Sequence, residues 1–339
     1  MGRTVRVLYA CVFNQAFTDY LVTREKGAAY PAVSPEDIGH AEIALPPLKE
    51  QRAIACILGT LDDKIELNRR RCKTLEAMAR AIFQSWFVDF DPVKAKAAVR
   101  KEHPRWTDAQ VSRAACPKLK PELAALFPDS FEDSLLGPIP KGWRVGTLRE
   151  VADNPRRGIN ADEIKPGTPY IALEHMPRRS IALAEWTTAD AIESNKFEFH
   201  QSEILFGKLR PYFHKVGVAP VDGVCSTDIL VIVPKQPEWF GFCTGHFSSD
   251  AIIQHADRAS TGTKMPRTNW NDLARFEVVI PQREVAKVFT KQFKPMIDRI
   301  HQSVTESLTL AALRDTLLPK LISGELRVPD AERIVGRAV

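Results

Sequence analysis

Two stretches of this chain combine basic side chains with glycine and contain no acid. Residues 204–221, ILFGKLRPYFHKVGVAPV, carry Lys208, Arg210, Lys215 and His214; residues 258–267, RASTGTKMPR, carry Arg258, Lys264 and Arg267 together with the hydroxyls of Thr261 and Thr263. Arg156, Arg157 and Lys165 form a third, looser cluster. Guanidinium and ammonium groups attract phosphate oxygens and hydroxyls donate to them, while Gly207 and Gly262 lack the Cβ that keeps a backbone at a distance. The chemistry on offer is therefore contact with a nucleic-acid backbone, with Tyr212 and Phe213 placed to pack or to touch bases. The same residues also fit ordinary solvated loop charge. Over Lys141–Ile280 there are 17 Lys plus Arg against 17 Asp plus Glu, so the argument rests on local clusters and not on overall charge.

Catalytic signatures are missing. A methyltransferase needs a glycine-rich cofactor loop and an Asn-Pro-Pro-aromatic or Pro-Cys element, and DNPRRG at 153–158 is neither. A translocase needs the GxxxxGK[ST] loop whose amides and lysine hold a triphosphate; Gly207-Lys208 continues into Leu209 and lacks the upstream glycine. PDSFEDS at 128–134 supplies acids without the lysine of a metal-assisted nuclease. There is no GxSxG and no HExxH. Cys11, Cys56, Cys72, Cys116, Cys225 and Cys243 form no CxxC pair and read as free buried thiols, with no metal site and no cofactor expected. The chain reads as non-catalytic.

The elements that must position the basic clusters emerge from an internal repeat. ALPPLKEQRAIACILGTLDDKIELNRRRCKTLEAMARAIF echoes VIPQREVAKVFTKQFKPMIDRIHQSVTESLTLAALRDTLL at a constant offset of 235, kept without gaps by pairs such as Gly27 and Gly262, Pro31 and Pro266, Asp37 and Asp272, Pro46 and Pro281, and Ile65 and Ile300. Within each copy apolar residues recur at alternating steps of four and three, the seam of a coiled coil. The first seam is Ile54, Leu58, Leu61, Ile65, Asn68, Cys72, Leu75, Ala79, Ile82 and Trp86. The second is Phe289, Phe293, Met296, Ile300, Ser303, Ser307, Leu310, Arg314, Leu317 and Leu321. Both turn polar at the same step, Asn68 and Ser303, and Arg314 interrupts the second. Helices of about 40 residues would each span roughly 60 Å and pack seam to seam, parallel or antiparallel.

Between the repeats, residues 91–140 hold seven prolines and read as an extended connector with short helical pieces such as TDAQVSRAA. Residues 141–282 read as a compact domain with strands at YIALEH, EILFG, VGVAPV, ILVIVP and FEVVI and a helix around SSDAIIQHADRA. The 339 residues, 44% hydrophobic with net charge +5, allow packed cores and tolerate a nucleic-acid partner. No run nears the roughly 18 apolar residues of a membrane helix, and MGRTVRVLYACVFNQAF lacks a secretory cleavage site, so a cytoplasmic protein is expected.

The stretch from ALPPLKEQRAI to AIFQSWFVDFDPV closely resembles the central conserved region of type I restriction-modification DNA specificity subunits. LFPDSFEDSLLGPIPKGWRVGTL resembles that family's lead into its second target-recognition domain, ASTGTKMPRTNWNDLARFEVVIP that domain's exit, and LRDTLLPKLISGELRV the C-terminal conserved end. The resemblance implies an α+β fold: a globular target-recognition domain with a mixed β-sheet, plus two long helices packed as an antiparallel coiled coil. It implies double-stranded DNA as ligand, with methyltransferase subunits docked on the helices and a restriction-translocase subunit in the full complex. The expected boundaries are 1–43 for the tail of a first recognition domain, 44–93 for the first spacer helix and 94–139 for the connector. The recognition domain then covers 140–282, the second spacer helix 283–326 and a tail 327–339. Carried back by the same offset, a first recognition domain would begin about 95 residues ahead of Met1. A chain of this kind would be a truncated product, the product of a misplaced start, or a single-reader form pairing with a copy of itself. The rival reading is a coiled-coil interaction protein that binds partner subunits without reading DNA.

Overall fold

The repeated seams build two helices, Leu48–Phe83 of 36 residues and Arg283–Ile322 of 40 residues. The computed structural model describes residues 15–27, 32–42, 46–190, 192–262 and 264–339. It divides into two units, Met1–Arg70 with Ser303–Val339, and Arg71–Gln302, and both long helices run from one unit into the other.

In the first unit, Ile54, Leu58, Leu61 and Ile65 form one core with Leu310, Leu317 and Leu321. Arg314 Nη1 reaches Asp62 at 2.8 Å, while Lys64 Nζ lies 3.2 Å and Asn68 Nδ2 2.9 Å from Glu306, so residues rising along one helix meet residues falling along the other. The helices are antiparallel. Arg314, which breaks the apolar seam, is accommodated by carboxylates on both sides, Asp62 and Asp315. Asn68 is fully buried and satisfied by Glu306, whereas the equally buried Ser303 hydroxyl finds no partner among the described residues. A third helix, Val328–Ala338, covers the same core with Ala331 and Val335, one turn apart on one face. The stretch read as a tail is thus helical and docked, after a turn at Gly324 (φ 76°).

In the second unit the antiparallel pairing continues, with Cys72 Sγ 3.9 Å from the Ile300 carbonyl. The buried positions drift from the expected seam: Leu75, Ile82 and Met296 are half-buried, and Phe83 and Ile297 take the inward places. The cause is a change of partner. The first helix here also meets the mixed domain, ending in a π turn at Gln84–Val88 whose Phe87 packs on Phe242 and Trp143 at 5.2 and 6.1 Å between ring centroids, while Trp86 and Phe87 meet Phe289 of the second long helix at 5.7 and 5.0 Å. Helix Phe240–Phe247 lies close on both long helices because Gly241 and Gly245 share one of its faces; a Cβ on Gly245 would overlap the Phe83 ring, and one on Gly241 would come within 2.9 Å of Phe289. Glu76 adds a polar anchor, accepting hydrogen bonds from the Ser180 hydroxyl (2.7 Å) and from the Ile181 and Ala182 amides (3.3 and 3.2 Å). Burial pushes its carboxyl above the usual range, opposed by those hydrogen bonds.

The mixed domain holds a four-stranded antiparallel sheet in the order Val216–Val218, Ile204–Gly207, Ile229–Pro234, Ala152–Asp153. A five-stranded sheet runs Gly158–Ile159, Lys196–Phe199, Gly223–Cys225, Pro169–Ile171, Thr187–Thr188, with one parallel pair between Gly223–Cys225 and Pro169–Ile171. Their shared core includes Ile171, Met176, Leu183, Phe199, Leu205, Ile229 and Val231. The fold is α+β with a mixed sheet and two long antiparallel helices.

The proline-rich segment is more helical than its reading as an extended connector with short helical pieces, of which TDAQVSRAA is one. Asp91–Glu102, Asp108–Ala115 and Pro121–Ala124 are helices, and Pro92 and Pro121 stand in first turns, where the missing amide costs nothing. Val93, Val111, Leu123 and Phe127 are buried between them, and the buried Lys96 ammonium donates to the Ala124 carbonyl at 3.0 Å and to that of Phe127. Cys56 is exposed, contrary to expectation; Cys72, Cys116, Cys225 and Cys243 are buried free thiols, and Cys11 lies outside the described residues. Burial pushes the Cys225 thiol up to about 12.

Candidate nucleic-acid interface

The two acid-free stretches, about 50 residues apart in sequence, are joined in space. Leu209 bridges Arg267, the Arg210 amide donates to the Pro266 carbonyl (2.8 Å), the Thr268 amide to the Lys208 carbonyl (3.0 Å), and Arg210 Nη2 lies 3.4 Å from the Lys264 carbonyl. Strand Ile204–Gly207 delivers the first loop and helix Asp250–Ala259 delivers the second. The second loop is closed by paired bonds between Thr261 and Arg267, its reversal made at Gly262 with φ 100°, a conformation that side chains with a Cβ rarely adopt.

Four of the six non-glycine residues with positive φ among the described residues are Arg156, Arg179, Arg210 and His214. Such backbone costs on the order of 1–3 kcal/mol each and survives where its surroundings fix it, as functional loops do. Arg210 and His214 bracket a single turn, Pro211–Phe213, which lifts Tyr212 into solvent. His214 is buried, with Nε2 3.0 Å from the Ser248 carbonyl and Nδ1 3.4 Å from Asp250; burial pushes its imidazole below the usual range.

The individual cations fare differently. Lys208 and Arg210 are half-exposed, and Lys264 and Thr261 are exposed. Arg267 is exposed but bound to Asp228 at 3.1 Å, an exchangeable surface pair. Lys215 turns inward to the Leu173 carbonyl, and desolvation lowers its ammonium pKa, so it leaves the set of surface cations. Gly207 is buried in its strand, where a Cβ would meet Leu173 at 2.8 Å; it serves packing and not ligand approach. Arg156 and Arg157 stand beside the edge strand Gly158–Ile159, Arg157 paired with Glu203, and no contact among the described residues links them to the joined loops. Thr263 lies outside the described residues. Sequence reading passed over Arg178, whose guanidinium stacks 4.1 Å over the Phe213 ring. Its neighbour Arg179 reaches Asp250 at 2.9 Å. Both follow a proline in MPRRS, a basic run the clusters above left out. No group of three or more metal-ligating side chains occurs among the described residues, and no described helix is long and apolar enough to cross a membrane.

Residues 7–77 match the type I restriction modification DNA specificity domain. The chain is 24% identical over 97% of its length to the MjaIX specificity subunit of Methanocaldococcus jannaschii, covering 71% of that protein, and 23% identical over 94% to the HindI specificity subunit of Haemophilus influenzae, covering 77% of it. Over most of its length the chain is thus similar to type I specificity subunits, while the family-model match is confined to residues 7–77. Among solved structures, the S subunit of a type I system from M. genitalium aligns over 94% of this chain and 72% of that one, with 15% identity and a TM-score of 0.46. The matched residues 7–77 include most of the first long helix, Leu48–Phe83.

Proposed function

We propose that this chain is the DNA-recognition and assembly subunit of a type I restriction-modification complex, binding a target site through residues 140–282 and docking methyltransferase subunits on residues 44–93 and 283–326. It carries no catalysis of its own; methyl transfer and ATP hydrolysis belong to partner subunits, including a restriction-translocase subunit in the full complex. The observation that supports this most strongly is the joining of two acid-free loops into one surface bearing Lys208, Arg210 and Lys264. Cations fixed in this way suit phosphate contacts, which position a protein on duplex DNA, while base edges supply the sequence information.

Methylation-site mapping in cells carrying this subunit with its methyltransferase tests the reading. One discrete methylated sequence is expected, disappearing when this chain is deleted. Methylation that persists unchanged without the chain would leave the coiled-coil interaction reading in its place.

A further inference from the structure

Among the described residues of 141–282, two large apolar side chains stand well exposed, Tyr212 at 49% and Met265 at 50%. A single exposed apolar residue is ordinary. These two lie on the two joined loops, Tyr212 two residues from Arg210 and Met265 directly after Lys264, so both occur where the surface cations gather. The repeat adds an independent observation. At the offset of 235, Met265 corresponds to Tyr30, again large and ring- or thioether-bearing, whereas Lys264 corresponds to Ala29 and Arg267 to Ala32. In sequence, charge at these positions differs between the copies, but a large side chain stands at this step in both.

The Tyr212 tip is held firmly. Its ring meets the Phe213 ring edge-on at 4.8 Å, Phe213 is covered by Arg178 at 4.1 Å, and the left-handed residues Arg210 and His214 fix the turn on either side. The major-groove edge of a base pair offers hydrogen-bonding groups and a single apolar one, the 5-methyl of thymine. An exposed ring and a polarizable, unbranched thioether carried between surface cations would find one apolar partner to cover in that groove, the thymine methyl. We propose that Tyr212 and Met265 are specificity-determining residues that read thymine through its 5-methyl group, an inference that rests on the DNA-recognition reading above.

The test selects a randomised duplex pool on the purified full chain and on the Tyr212→Ala, Met265→Ala and Met265→Leu variants. The wild-type chain is expected to prefer thymine at one or more positions. Each alanine variant should lose that preference by about tenfold at its own position, with the salt dependence of binding unchanged, and Met265→Leu should retain it. Replacing that thymine by deoxyuridine should cost the wild-type chain the same factor and the matching alanine variant nothing further. Alanine variants that keep the wild-type preference, lose affinity equally for all sequences, or lose preference at a G·C pair overturn this inference and leave the recognition reading standing. A wild-type chain without any sequence preference overturns the recognition reading and this inference with it.

Discussion

The exit turn is built twice, at residues 20–37 and again at 255–272. In the first, Lys26 and Ala32 exchange amide-to-carbonyl bonds of 3.0 and 3.1 Å, Gly27 has φ 107°, Ser34 caps the helix Pro35–Gly39, and the Tyr20 hydroxyl donates to the Asp37 carbonyl. In the second, Thr261 and Arg267 exchange bonds of 3.1 and 3.0 Å, Gly262 has φ 100°, Asn269 caps Trp270–Ala274, and His255 Nε2 contacts the Asp272 carbonyl. Every one of these pairs keeps the offset of 235. Lysine is exchanged for threonine, serine for asparagine and tyrosine for histidine, yet the backbone device is unchanged. The cationic side chains are not part of that device, whose closing bonds are made by the backbone, since the second copy has Lys264 and Arg267 where the first has Ala29 and Ala32. The comparison separates residues that make the turn from residues that the turn displays.

The largest effect should come from the seam that both copies share. Leu61→Asp with Ile65→Asp places charges in the core formed with Leu310 and Leu317, at a cost on the order of 4 kcal/mol or more, read as separation or unfolding of the helical pair by chemical denaturation. Unchanged stability in this double variant would contradict the packed-helix account.

Next in size, Gly262→Val and Gly27→Val should each cost about 1–3 kcal/mol, because both positions need positive φ. Equal losses sharpen the equivalence of the two turns. A loss confined to one copy breaks it.

A third difference is acid sensitivity. His246 is buried against Phe83 and Phe242, at 4.9 and 4.4 Å between centroids, and desolvation pushes its imidazole down to about 3; the equivalent residue of the first copy is Cys11. A depressed folded-state pKa contributes stability that is present above the unfolded value and is lost as pH falls toward the folded one. By about pH 5 this histidine alone should remove about 2 kcal/mol relative to pH 7. His246→Phe should flatten that part of the stability profile, measured by denaturant unfolding at each pH. An unchanged profile would assign the acid sensitivity elsewhere.

Much of this was legible in the sequence for a specific reason: long repeats with a four-three period determine a helix pair whatever surrounds it, and the continuous apolar runs at 204–207 and 229–234 became central strands. Two-residue strands such as Ala152–Asp153 and Thr187–Thr188 carry no periodicity and exist only through their partners. Helix Phe240–Phe247 was hidden because seven of its eight residues are buried, leaving no polar face to reveal a helical period. In the proline-rich segment the capped piece TDAQVSRAA was legible, whereas Asp91–Glu102 and Pro121–Ala124 were not, because prolines at first turns start helices as readily as they end them. Composition selected two loops that the structure brings together, but the inward turn of Lys215 to the Leu173 carbonyl and the pairing of Arg157 with Glu203 left no trace in the sequence.

The central claim, that the second turn displays cations to DNA phosphates, is tested most directly by giving it the residues of the first. Duplex DNA affinity of the full chain is measured against salt concentration for wild type and for Lys264→Ala with Arg267→Ala. The account predicts weaker binding to specific and non-specific duplexes alike, a slope of log affinity against log salt reduced by about one for each phosphate that is no longer neutralised, and unchanged thermal stability. Wild-type affinity with an unchanged slope would contradict it.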